Sequence, residues 1–104
     1  MIPISAVDLP PGTEEAVLGA LHSGQIAQGP LVAEFEQRFA ELTGVDHAVA
    51  VNNGTTALIA ALQVLELEAG DEVVTTPFTF VATLNAVLAT GASVRFADIS
   101  ALDF

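Results

Sequence analysis

Asn53-Gly54-Thr55-Thr56 stands between a short β-branched run, Val49-Ala50-Val51, and a run with helical spacing that begins at Thr55. A strand that feeds a helix through a tight glycine turn leaves several backbone N–H groups unpaired at one point. The positive end of the helix dipole lies behind them. Such a point accepts a phosphate or a carboxylate. Thr55 and Thr56 would add hydroxyl donors there, or simply cap the helix. Asn53-Gly54 is also a hairpin signal, but Thr55 to Leu65 lacks the alternation of a returning strand. Taken alone, the turn fits an anion site and an unliganded strand–helix junction equally well. It does not fit a dinucleotide fold, because G-x-G-x-x-G would need further glycines where Thr55 and Leu58 stand.

Phe78 and Phe80 flank Thr79 just beyond a second short strand, at the carboxyl edge where parallel α/β sheets place their ligands. An aromatic side chain there can stack on a flat ring, although the residue type by itself favours a place in the core. Asp98 ends a third strand at the same edge and reads by default as an exposed strand-end carboxylate. His22 and His47 are far apart with no cysteine in the chain, which argues against a metal site. No G-x-S-x-G occurs, so a hydrolase nucleophile elbow has no support. The two basic residues are Arg38 and Arg95, so the chain contains no lysine. Walker-type phosphate binding, Schiff-base formation and lysine general-base catalysis are closed to it acting alone.

The elements that must position these residues follow from spacing. An extended start ends at Pro10-Pro11-Gly12, which cannot be helix interior. Thr13 is a candidate N-cap for a helix with Glu14 and Glu15 in its first turn and Ala16, Val17, Ala20 and Leu21 as an apolar stripe, closing at Ser23-Gly24. A loop from Gly24 to Pro30 precedes a helix over 31–42, where Val32, Phe35, Phe39 and Leu42 share one face. His47 to Val51 reads as a buried strand and Thr55 to Leu65 as a helix apolar on most faces. Glu72 to Thr76 is a second strand, Phe80 to Ala89 a helix capped by Thr79, and Ser93 to Asp98 a third strand. From His47 onward the order is β-α-β-α-β, which predicts an α/β fold with parallel strands, preceded by two helices. The expected division is a helical segment over 1–46 and the start of an α/β domain over 47–104.

Composition adds a constraint. The 104 residues are 52% hydrophobic before the 8 glycines are counted, against about 45–50% with glycine included in a typical soluble domain. Only 14% are charged, against about 25%. A small isolated domain should be more polar than average, so this chain reads as the interior portion of something larger. The net charge of −11 argues against nucleic acid and anionic membranes as partners. No apolar run is long enough to span a bilayer, no signal peptide is visible, and the expected location is cytoplasmic.

Four stretches together resemble the DegT/DnrJ/EryC1/StrS family. They are Gly29-Pro30-Leu31-Val32-Ala33-Glu34-Phe35-Glu36, Val51-Asn52-Asn53-Gly54-Thr55-Thr56-Ala57-Leu58, Thr79-Phe80-Val81-Ala82-Thr83-Leu84-Asn85 and Gly91-Ala92-Ser93-Val94-Arg95-Phe96-Ala97-Asp98-Ile99. The resemblance implies the amino-terminal part of the large cofactor domain of a fold-type-I aminotransferase, with pyridoxal phosphate as cofactor. It implies that Gly54 and Thr55 bind the cofactor phosphate and that Phe80 stacks on the pyridine ring. It also implies a homodimer, with Gly24 to Pro30 near a nucleotide-sugar site, and amino transfer from an amino acid such as glutamate to a nucleotide-linked keto sugar. The family's Schiff-base lysine lies beyond this sequence, so no catalytic residue is expected here and the chain alone should be inactive. The resemblance further implies that later strands separate the first strand from the second in the sheet. A sugar dehydratase of the same family is the alternative with the same cofactor. A non-catalytic chain that binds phosphate or another subunit is the alternative of a different class.

Overall fold

Pro10-Pro11-Gly12 breaks the chain where expected, and α1 (Thr13–His22) starts on the far side of it. The structure, a computed structural model, describes residues 2, 3 and 5–102. Met1 and Ile4 of the extended start, and Asp103 and Phe104 at the other end, lie outside the described residues. The N-cap of α1 is Gly12, not Thr13. Thr13 is already helical, and its hydroxyl donates back to the Pro10 carbonyl at 2.7 Å, so it ties the helix to the preceding turn. Glu14 and Glu15 occupy the first turn and His22 the last, in accord with the dipole.

In α2 (Pro30–Thr43), proline takes the first helical position, where its missing N–H costs nothing. Gly44 closes the helix in the left-handed conformation at φ 72°, and the Val45 amide beyond it donates to the Ala40 carbonyl. Ala40 is buried and Val32 and Glu36 are half-buried, so the covered line runs i, i+4, i+8. The larger apolar residues Phe35, Phe39 and Leu42 stay exposed; the two rings lie 5.9 Å apart, tilted by 37°. Contacts divide the chain into two compact units, Met1–Ala50 and Val51–Phe104.

The second unit contains α3 (Gly54–Gln63), β1 (Glu72–Thr75), α4 (Val81–Leu88) and β2 (Ser93–Phe96). β1 and β2 pair in parallel, with Val73 opposite Val94 and Thr75 opposite Phe96. The ladder is extended by the Ser93 amide on the Asp71 carbonyl and the Ala97 amide on the Thr75 carbonyl. α4 forms the crossover between the strands, and it packs on β2 and on α3. Ala82, Ala86, Val87 and Ala92 are the buried residues of this unit. Small side chains at 82 and 86 let the helix approach closely. Gly70, at φ 110°, makes the turn before β1 in a conformation that L side chains rarely adopt, and the Glu68 amide there donates to Asp71 Oδ2.

The α/β class and the parallel sense of the strands stand as expected, and from Gly54 on the order runs α3-β1-α4-β2, with one difference at the expected first strand. Residues 47–51 form no ladder with another strand among the described residues; the observed sheet has two strands. Strand character requires a neighbour, and the Ala50 amide donates instead to Glu36 Oε1 of α2 at 2.8 Å. The helix expected to reach Leu65 ends at Gln63, and Glu66 beyond it takes a positive φ of 52°.

Candidate functional site

At Asn53-Gly54-Thr55 the chain enters α3 and not a hairpin. Asn53 is the N-cap, and its Oδ1 accepts from the Thr56 amide at 2.9 Å and from the Thr56 hydroxyl at 3.2 Å. The Ala57 amide donates to the Asn53 carbonyl, which starts the regular ladder. Gly54 and Thr55 are therefore the first two helical residues, whose amides have no carbonyl to pair with inside the helix. A Cβ built on Gly54 would meet nothing within 4 Å, so the approach to these amides is open.

The second helix start faces the same space. α4 begins after Phe80, which sits at the N-cap with extended backbone (φ −74°, ψ 144°) and no side-chain cap bond. Thr79, expected as the cap, instead shares a hydrogen bond of 3.0 Å with the Thr83 hydroxyl. Gly54, Thr55, Ala57, Leu58, Ala61, Phe80, Ala82 and Thr83 line one open concavity of roughly 680 Å³. The structure thus brings together the three residues singled out from sequence, Gly54, Thr55 and Phe80. In the described residues Phe80 is 76% exposed.

The electrostatics of this concavity come from backbone dipoles. None of its lining residues is charged. Of the two arginines, Arg95 Nε donates to Glu72 Oε1 at 2.6 Å and Arg38 pairs with Glu34 along α2. Two helix N-termini at one apolar pocket can hold an anionic group through N–H donors while a flat ring lies against Phe80. Thr83 was not singled out from the sequence, although it stands one helical turn after Phe80 in the Thr79 to Asn85 run. The strand expected to reach Asp98 ends at Phe96; Asp98 is exposed two residues beyond it, its Oδ1 accepts from the Ile99 amide, and it does not line this concavity. Among the described residues no three His, Asp or Glu side chains form a cluster able to hold a metal ion. Nor, among the described residues, is any helix long and apolar enough to cross a membrane.

Residues 11–104 match the DegT/DnrJ/EryC1/StrS aminotransferase family. The chain belongs to this family. Over 90 residues it is 48% identical to the spore coat polysaccharide biosynthesis protein SpsC of Bacillus subtilis, covering 85% of this chain and 23% of that protein. Among solved structures it is similar to Spr1654 from Streptococcus pneumoniae in its PLP form, with 35% identity and a TM-score of 0.88 over 97% of this chain and 26% of that one. It is also similar to the sugar aminotransferase CalS13 from Micromonospora echinospora, with 39% identity and a TM-score of 0.84 over 96% of this chain and 27% of that one. The chain thus spans about a quarter of the length of these relatives.

Proposed function

We propose that this chain forms the phosphate cup and the aromatic wall of a pyridoxal-phosphate site in a sugar aminotransferase. The substrates would be a nucleotide-linked keto sugar and an amino-acid donor, glutamate. The observation that carries this reading is the meeting of Gly54, Thr55 and Phe80 at one concavity. Membership of the DegT/DnrJ/EryC1/StrS family and the likeness to a PLP-form structure support the choice of cofactor.

The residues fit the group. The unpaired amides of Gly54 and Thr55, with the Thr55 hydroxyl, would hold the phosphate at the positive end of α3. Phe80, largely exposed at the N-cap of α4, would lie against the pyridine ring. Leu58 and Ala61 give the cavity an apolar side that excludes water from the ring. When bound, pyridoxal phosphate supplies an electron sink for bonds at the amino-acid α-carbon. The chain has no lysine, so the amine that bonds the cofactor and moves protons must come from outside these 104 residues. On this reading the isolated chain is inactive.

The reading extends to a cytoplasmic homodimer in which the loop from Gly24 to Pro30 borders the nucleotide-sugar site. A concavity of about 360 Å³ lined by Ser23, Gln25, Ala27, Gly29 and Pro30, together with residues of α1, supports that role for the loop. The test is amino transfer by the protein expressed from its complete reading frame. With glutamate and a panel of nucleotide-linked keto sugars, 2-oxoglutarate should appear only when an acceptor sugar is present. Absence of transfer across the panel would overturn the reading.

A further inference from the structure

The start of α4 breaks a local rule. Helix N-caps favour Ser, Thr, Asn or Asp, whose side-chain oxygen satisfies one of the free amides. Here the N-cap is Phe80, which has no acceptor, while a residue able to cap, Thr79, stands one position too early. Local choices of this kind concentrate at functional positions. The first turn is held differently: the Thr83 amide donates to the Phe80 carbonyl at 3.1 Å, and the Thr79 and Thr83 hydroxyls share a hydrogen bond of 3.0 Å. That bond spans positions i and i+4 with Phe80 inside the span. Thr83 is half-buried and lines the concavity beside Phe80, whose ring no other aromatic side chain supports among the described residues.

We propose that Thr79 and Thr83 are positioning residues, whose hydroxyl bridge across the N-cap of α4 fixes the direction from which Phe80 enters the concavity. This rests on the reading of Phe80 as the ring-stacking wall. A capping residue at position 80 would secure the helix but give no aromatic face. The bridge secures the first turn and leaves position 80 free for the ring. Once a ligand covers the concavity, water competes less for the Thr83 hydroxyl, which lines it, and the bridge strengthens.

The experiment uses the protein from its complete reading frame and measures pyridoxal phosphate affinity and visible circular dichroism of the bound cofactor. Thr83→Val and Thr79→Val remove a hydroxyl and keep the branched shape. Each should weaken binding about 3- to 10-fold, the effect of losing one neutral hydrogen bond. Each should also reduce the visible dichroism, and the double variant should bind no worse than either single one. Thr83→Ser should restore binding to within about twofold, and the melting temperature of the cofactor-free protein should move by less than about 2 °C. Unchanged affinity and dichroism in Thr83→Val would overturn the proposal. So would loss in Thr83→Val with none in Thr79→Val, which assigns Thr83 a direct ligand contact, or a loss that follows the fall in cofactor-free stability. If the unsubstituted protein takes up no cofactor, the proposed function fails first and the positioning role with it.

Discussion

Asn53 Oδ1 accepts the Thr56 amide at 2.9 Å, while Gly54 and Thr55, whose amides have no carbonyl partner inside the helix, line the concavity. One side chain thereby secures the helix and leaves its first two donors for a ligand. Asn53→Ala should lower stability by about 1 kcal/mol, and Asn53→Asp should keep most of it, because aspartate caps equally well. Urea unfolding of the complete protein measures this difference. The aspartate variant separates the two roles: its added negative charge beside the cup should weaken phosphate binding while the cap survives.

Thr55 is half-buried, and its hydroxyl has no hydrogen-bond partner among the described residues, so its removal leaves no buried group stranded. Thr55→Ala should change unfolding free energy by less than about 0.5 kcal/mol and weaken pyridoxal phosphate binding by about tenfold. Absorbance titration paired with denaturation checks both halves.

Much of this arrangement was legible in the sequence, and the parts that were not have a common cause. Glycines and prolines at 11, 12, 29, 30, 44 and 70 mark turns through local chemistry, and the helical spacing of α2, α3 and α4 survives any neighbour. The short apolar run 47–51 carries no such internal signal, since its state depends on which strand lies beside it. Periodicity likewise identified Phe35, Phe39 and Leu42 as a face without saying whether anything covers it. The caps expected at Thr13 and Thr79 fall one residue away, at Gly12, which supplies a left-handed conformation at φ 88°, and at Phe80, which makes no side-chain cap bond. Gly54, Thr55 and Phe80 come together only through the helix–strand–helix path of α3, β1 and α4, which residue types alone could not show. The role proposed for Phe80 comes from family resemblance, not from residue type or spacing.

Ala86 and Val87 are the best-buried residues of the second unit, at 0% and 1% exposure. Val87→Ala should cost roughly 1–3 kcal/mol through lost burial and the cavity left behind. Ala86→Leu should cost a similar amount, about 1–3 kcal/mol, by forcing α4 away from its neighbours. Because α4 carries Phe80 and Thr83, the leucine variant should also lose cofactor affinity, whereas changes on exposed faces of α1 should not.

Arg95 reaches across the two-stranded sheet to Glu72, and both side chains are largely in water, at 67% and 49% exposure. Arg95→Gln should cost only about 0.2–1 kcal/mol, and the difference should shrink at high salt. Because Arg95 does not line the concavity, cofactor affinity should stay unchanged.

Glu66 holds a left-handed backbone at φ 52° in the turn after α3. Glu66→Gly should raise stability by up to about 1 kcal/mol, since glycine adopts this conformation without steric cost. Thermal unfolding of the two proteins side by side reads the change.

On the proposed reading, Gly54, Thr55 and Phe80 form the cup and wall of a pyridoxal-phosphate site. A crystal structure of the complete protein with the cofactor bound tests it most directly. The phosphate should lie within about 2.7–3.2 Å of the Gly54 and Thr55 amide nitrogens, with the Phe80 ring facing the pyridine at a centroid distance of about 4–5 Å. A phosphate held elsewhere, or a pyridine ring with Phe80 turned away from it, would contradict the account.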